Sequence, residues 1–296
     1  MIRSLKISKN QKVSELVEHL VDTAFNARRL GEAARIYSEM IENDAFIFFT
    51  FAGAMIPAGM REIVDGIIRN GFANALVTTG ANITHEIAEA IGCRHKKGNE
   101  SADDVDLSRS NISRIYDVFI DNEAFERIEQ FVSEIFQDLE GEFASYEILW
   151  EIGKGLEKSF LKTAYDRKIP IFCPTLHDSI LGLHLYIYGR RIKYNPIKDI
   201  EKIVDLCFQD RKMGVVIVGG GVPKNFTLQA MLLAKGFDYA IQITTDSPQW
   251  GGLSGATLSE AKSWCKLKEN AKTVTVYCDA TIALPLIYAY ILDKNR

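Results

Sequence analysis

The chain has 296 residues, 47% of them hydrophobic and 25% charged, an ordinary globular composition with enough apolar material for a large core. Its 35 lysines and arginines stand against 39 acidic residues, a formal charge of −4 with no basic tract, which argues against nucleic-acid binding through phosphate neutralisation. The opening Met1-Ile2-Arg3-Ser4-Leu5-Lys6 lacks the apolar run of a signal peptide, and no stretch reaches the roughly 18–20 apolar residues of a membrane helix, so a soluble cytoplasmic protein is expected.

Taken in chain order, residues 14–37 carry the periodicity of one or two amphipathic helices, which makes residues 1–40 an N-terminal helical segment. Apolar runs rich in β-branched and aromatic residues follow at 45–51 and 73–79. Ile83, Ile87 and Ile91 recur every fourth residue with acids on the other face, the pattern of a helix. The acidic, polar stretch 98–110 is expected to be the one long loop. Further strand-like runs are 114–120 and 170–174, then a helical pattern at 200–208, then strand-like runs at 214–219, 239–245 and 273–279. Val215-Val216-Ile217-Val218 is continuously apolar, as in a strand covered on both faces. Alternating strands and helices predict an α/β fold: a single Rossmann-like domain with a mostly parallel, doubly wound sheet of six or seven strands. No linker, repeat or low-complexity stretch divides residues 1–296, so one domain is expected.

Five scattered cysteines without a C-x-x-C pair suggest reduced thiols rather than a disulfide framework. The five histidines show no H-E-x-x-H spacing; His85, His177 or His184 could meet in space, but no metal site is expected.

In an open parallel sheet, ligands gather at the carboxyl ends of the strands. Small or glycine-rich turns follow several predicted strands: 52–59, 78–82, Gly219-Gly220-Gly221 with Val222-Pro223-Lys224-Asn225, Thr245 with the loop 246–256, and Asp279-Ala280-Thr281. Glycine at any one turn can simply serve a tight bend. Several such turns on one sheet edge point to a large, flat, phosphate-bearing ligand held by backbone amides at helix starts. The G-x-G-x-x-G fingerprint is absent, so the common dinucleotide mode fails. Lys266, beside Trp264 and Cys265, reads either as a solvated lysine at a helix end or as a desolvated amine that forms a Schiff base. Thr257-Leu258-Ser259-Glu260 matches a capping box. Glu260 and Lys266 lie roughly 240° apart on an unbroken helix, so they can serve one pocket only if the helix ends near Cys265. Asp178 could cap the following helix or bind a ribose hydroxyl.

Together these motifs resemble the deoxyhypusine synthase family. The resemblance is carried by residues 25–33 (Phe-Asn-Ala-Arg-Arg-Leu-Gly-Glu-Ala), the loop 52–61 ending Gly59-Met60-Arg61, Thr78-Thr79-Gly80-Ala81-Asn82, Arg114-Ile115-Tyr116-Asp117, the turn Gly219 to Lys224, and Ser254-Gly255-Ala256. Ser263-Trp264-Cys265-Lys266 matches the family's lysine motif, usually Ser-Trp-Gly-Lys, and the likeness runs from about residue 12 to residue 292. It implies a homotetramer of two tight dimers with NAD as internal redox cofactor. The implied reaction passes the 4-aminobutyl group of spermidine, or a related polyamine, through an imine on Lys266 to a lysine of a translation initiation factor 5A-type precursor. It assigns catalysis to Lys266 and Asn225, and the substrate to Trp264, Glu260 and Gln229. The cofactor falls to Gly53, Ala54, Pro57, Thr78, Thr79, Gly80, Asp178, Gly219, Gly220, Gly221, Thr245, Asp279, Ala280 and Thr281, with no metal. The chain departs from the family pattern at Leu183 and Leu253, where better-known members have acids, and at Asn225, where they have histidine. Asparagine can orient an amine but cannot act as a general base. Those departures keep two alternatives open, transfer to a small amine acceptor as in a homospermidine synthase, or a catalytically silent regulatory subunit.

Overall fold

A computed structural model describes residues 1–295 of the protein. It divides into two compact units, the first formed by Met1–Ala52, Asn70–Val77 and the chain from Ile200 onward, the second by Gly53–Arg69 and Thr78–Asp199. Each is built from segments distant in sequence, which no linker marks.

The first unit is built on a parallel sheet whose strands are β1 (Phe46–Phe51), β2 (Ala75–Val77), β3 (Met213–Val218), β4 (Phe237–Thr244) and β5 (Leu267–Tyr277). They run parallel in the order β5-β4-β3-β1-β2. Every residue of β1 and β3 is buried, as the continuous apolar runs predict for strands covered on both faces. Around the sheet lie α1 (Val13–Leu20), α2 (Phe25–Glu42), α3 (Gly221–Ala230), α4 (Leu258–Ser263) and α5 (Ala280–Lys294). The N-terminal helical segment is thus two helices. Tyr37 of α2 is fully buried and its hydroxyl donates to Phe72 O at 3.0 Å, which ties α2 to the chain entering β2.

The second unit holds the helices Arg61–Arg69, Gly80–Ala90, Glu123–Asp138, Ser145–Lys154, Phe160–Arg167 and Ile180–Tyr188, with the short strand Ile171–Phe172. The run 114–120 is not one strand of the parallel sheet, as the sequence suggested. Tyr116 takes a left-handed φ of 55°, so the chain reverses and Ile112–Ile115 pairs antiparallel with Val118–Asp121. The acidic stretch 98–110 is also more ordered than expected. Asp103 accepts from Val105 N and Asp106 N and thereby starts a helical turn over Asp104–Arg109.

Among the described residues, no helix is long and apolar enough to cross a membrane. All five cysteines are free, and burial pushes the thiols of Cys173 and Cys207 up to about 12.

Candidate functional site

The parallel sheet of the first unit brings four chain reversals to one edge. Ala52 N donates to Val218 O at 3.0 Å, Gly219 N to Ile243 O at 2.8 Å, and Cys278 N to Thr244 O at 3.2 Å, so β1, β3, β4 and β5 end nearly flush. The edge therefore carries Gly219-Gly220-Gly221, Thr245 and Asp279-Ala280-Thr281, with α3 and α5 starting from it. Asp279 caps α5: its carboxylate accepts from Thr281 N at 2.7 Å and from the Thr281 hydroxyl, and these bonds hold its pKa below the usual carboxylate range.

The three glycines meet three different demands. Gly219 and Gly221 have φ of 77° and 58°, the left-handed region that glycine enters freely. Gly220 has an extended backbone, but a Cβ there would stand 2.4 Å from Ser254 Cα. Gly220→Ala should therefore lower stability by about 1–3 kcal/mol through overpacking against backbone that cannot rotate away. Thermal unfolding of the variant measures it, and a change within about 0.5 kcal/mol would mean the loop yields. Around Gly221 an added Cβ would meet nothing within 4 Å, so this amide-bearing stretch faces open space.

The loop 246–256 leads into α4, whose N-cap Thr257 accepts from Glu260 N at 3.1 Å. The helix ends at Ser263, Trp264 is its C-cap, and Cys265 turns left-handed with φ of 55°. The geometric condition for Glu260 and Lys266 to serve one pocket, a helix end near Cys265, is met. Lys266 N donates back to Ala261 O at 3.0 Å, Phe237 N donates to Lys266 O at 3.1 Å, and the Lys266 Nζ stands 5.6 Å from the centre of the Trp264 ring. This is a cation–π contact on an indole that is itself 62% exposed, with Lys266 half-buried. Asn225 and Gln229 lie one turn apart on α3 and so share a face. Leu253 is 49% exposed in the loop.

In the second unit, Asn82 joins two of the predicted turns. Its Nδ2 donates to Gly53 O at 2.9 Å and its Oδ1 accepts from Ile56 N at 3.3 Å, while Thr79 caps the helix that Gly80 begins. The loop of Gly53, Ala54 and Pro57 is thereby brought to Thr78-Thr79-Gly80. A Cβ on Gly80 would sit 2.4 Å from Ser179 Cβ, which brings the turn containing Asp178 against the same place. Asp178 does not cap the next helix; Ser179 does, accepting from Gly182 N at 3.1 Å, and the Asp178 side chain is left exposed. Gly53 has φ of 79° and open space where a Cβ would stand.

Behind this cluster Glu86, fully buried, takes a two-pronged contact from Arg61, Nε at 2.8 Å and Nη2 at 3.1 Å, and a bond from Phe160 N at 3.1 Å. Burial nevertheless pushes its carboxyl up to about 7. The second unit also contains a relay that the histidine spacing does not show. His95 Nε2 meets His85 Nδ1 at 2.9 Å, and His95 Nδ1 meets Glu89 at 2.8 Å. Burial and the facing His95 push His85 down to about 4. His184 is buried with neither ring nitrogen hydrogen-bonded among the described residues, and His85 is engaged with His95. Among the described residues no group of three or more His, Cys, Asp or Glu side chains could hold a metal ion. The sequence places Asn82 in the Thr78 to Asn82 motif without giving it a role, and Glu86 is not singled out at all, because an ordinary polar residue in a helical pattern carries no mark of being buried.

Comparison with known proteins adds to this geometry. The family model for deoxyhypusine synthase matches residues 15–291. A protein of Archaeoglobus fulgidus named "Probable deoxyhypusine synthase 1" is 63% identical over 295 residues, covering 99% of this chain and 98% of its own. One of the same name from Methanosarcina acetivorans is 46% identical, covering 99% and 95%. The solved structure of "a putative deoxyhypusine synthase" from Entamoeba histolytica superposes with a TM-score of 0.68 at 19% identity, over 99% of this chain and 97% of that one, a likeness of fold.

Proposed function

From the premise that this chain belongs to the deoxyhypusine synthase family, and is an enzyme of its aminobutyltransferase class, we propose that it transfers the 4-aminobutyl group of spermidine, by way of an imine on Lys266, to a lysine of a translation initiation factor 5A-type precursor. The observation that carries this reading is the position of Lys266 just past a helix end, its Nζ against Trp264, three residues beyond the helix that bears Glu260. Attack on an imine carbon requires Lys266 as an amine nucleophile, and the indole beside it gives the reacting chain an aromatic wall. In this reading Trp264 walls the aliphatic part of the polyamine, and Glu260 and Gln229 hold its amino groups. Asn225 orients an amine by hydrogen bonding without taking its proton.

NAD is the cofactor of this reading, and bound there it would accept hydride from the amine donor and return it to the final imine. The residues suit a dinucleotide: open space stands over Gly53 and Gly221, where a phosphate can approach the backbone closely. In the first unit, Gly219 to Gly221, Thr245 and Asp279 to Thr281 would hold it. In the second unit the residues that the family resemblance assigns to the cofactor are Gly53, Ala54, Pro57, Thr78 to Gly80 and Asp178, whose exposed carboxylate suits a ribose hydroxyl. A cytoplasmic homotetramer, a dimer of dimers, completes the proposal, and titration of mass against concentration by light scattering tests it.

A second reading is favoured by Leu253 and Leu183, 49% and 61% exposed, which offer apolar surface where a polyamine's inner ammonium would call for a carboxylate. In that reading the acceptor is a small diamine. Incubation of the pure protein with NAD and labelled spermidine separates the two. Label on the factor precursor supports protein transfer, and a new labelled polyamine without the precursor supports the second reading. Neither product would overturn both.

A further inference from the structure

Lys224 is the side chain in the first unit that the proposed chemistry leaves unused. It is only 3% exposed, yet lysine is almost never so buried unless its ammonium is fully hydrogen-bonded. Its Nζ donates to Gln242 Oε1 at 3.1 Å, to Leu253 O at 2.9 Å and to Ala256 O, so all three N–H bonds are used. Gln242, 1% exposed on β4, is committed to the same loop: its Nε2 donates to Gly219 O at 3.1 Å and to Ser254 O at 2.7 Å. Gly221 N in turn donates to the Ser254 hydroxyl at 3.1 Å. The carbonyls of residues 253, 254 and 256 are thus held by two buried side chains that also tie in the triple-glycine turn. Thr257, the next residue, starts the helix that carries Glu260 and ends before Lys266.

We infer that Lys224 is a positioning residue, whose buried ammonium pins the loop 246–256 to the triple-glycine turn and thereby sets where Glu260 and Lys266 stand. The inference rests on the reading of Lys266 given above. Stability alone is a poor reason for this lysine. Burial, the largest effect, pushes its pKa down from 10.5 to about 8; Glu260 and Asp246 favour the charge, and Lys266 opposes it. A folded value below the unfolded one means the unfolded chain holds the proton more tightly, so this group's contribution to stability rises as pH goes from about 8 to 10.5. At neutral pH the charged lysine therefore weakens the fold. Three acceptors fixed on one loop are what it supplies instead.

The test uses the full chain with Lys224→Met and, independently, Gln242→Leu, each read by hydrogen exchange of peptides covering 246–257 and by steady-state transfer. Both variants should still fold, at reduced stability because buried acceptors are bared, and exchange in the loop should rise about tenfold or more beyond any rise in the core strands. The kcat for transfer should fall about a hundredfold, the cost of misplacing a reacting group by about 1 Å, with KM for the amine donor and Kd for NAD within about threefold. Lys224→Arg should not rescue, since a planar guanidinium fork cannot repeat the three bonds that radiate from one ammonium. In the wild type, loop protection corrected for intrinsic exchange should fall as pH passes about 8, where the ammonium becomes an amine with two donors, and in Lys224→Met it should not. Loop exchange like wild type in Lys224→Met, or an unchanged kcat, would overturn the inference. Gln242→Leu decides the matter if Lys224→Met does not fold. Should the wild type show no transfer at all, the reading of Lys266 fails, and loop exchange still decides the positioning role.

Discussion

If Lys266 carries the imine as proposed, Lys266→Arg should abolish aminobutyl transfer, by at least about a thousandfold, because the step that needs the covalent intermediate is removed. Arginine keeps the positive charge and can still lie over the Trp264 ring, so the local fold and the cation–π contact survive. What it cannot supply is a neutral amine. Affinity for NAD should stay within about a factor of two, less than 0.5 kcal/mol. Borohydride added during turnover should trap a spermidine-derived mass on Lys266 in the wild type and leave both Lys266→Arg and Lys266→Ala unlabelled. Transfer by Lys266→Arg within about tenfold of wild type would remove Lys266 from the chemistry.

Arg61→Met should cost about 3–5 kcal/mol, the largest stability effect expected from a single change in the second unit, because it leaves the fully buried Glu86 carboxylate unpaired. The double variant Arg61→Met/Glu86→Leu should recover most of that loss, since an apolar pair in the same space no longer carries an uncompensated charge. The pH dependence has a definite sign. The folded pKa of Glu86, about 7, lies above its ordinary 4.5, so the folded state keeps a proton that the unfolded chain has released. Stability from this group is present below about 4.5 and is lost as pH rises toward about 7. Without Arg61 the folded value rises further, so the penalty of Arg61→Met should be smaller at pH 5 than at pH 8. Urea unfolding at the two pH values measures both quantities. A loss below about 1 kcal/mol at pH 8 would show that Glu86 finds another partner or water.

The strands of the parallel sheet are legible in the sequence because burial on both faces leaves only apolar β-branched and aromatic residues, as in Phe46 to Phe51 and Met213 to Val218. The turns at their ends are legible for a related reason, since Gly219 and Gly221 must take positive φ. The residues 114–120 misled because β propensity does not say which sheet a strand joins, and the reversal turns on Tyr116, a residue not marked for a left-handed bend. Lys224 was hidden by its type. A lysine three residues past a glycine turn reads as solvent-exposed, and only the acceptors of Gln242, Leu253 and Ala256, distant in sequence, make its burial tolerable. Asp178 shows the opposite limit, because two adjacent residues could cap one helix and geometry chose Ser179.

Cys265 holds a left-handed backbone in a place where a glycine would rest without strain, at a cost of about 1–2 kcal/mol. Such a bend does not persist by local preference; it lasts because Phe237 N grips Lys266 O and Lys266 N grips Ala261 O on either side of it. The address of Lys266 is therefore written in the docking of β4 against β5, and in no short peptide. A fragment carrying Ser263 to Lys266 alone would not hold that bend, and under the proposed role of Lys266 a local opening of that sheet edge would stop transfer before any global unfolding began.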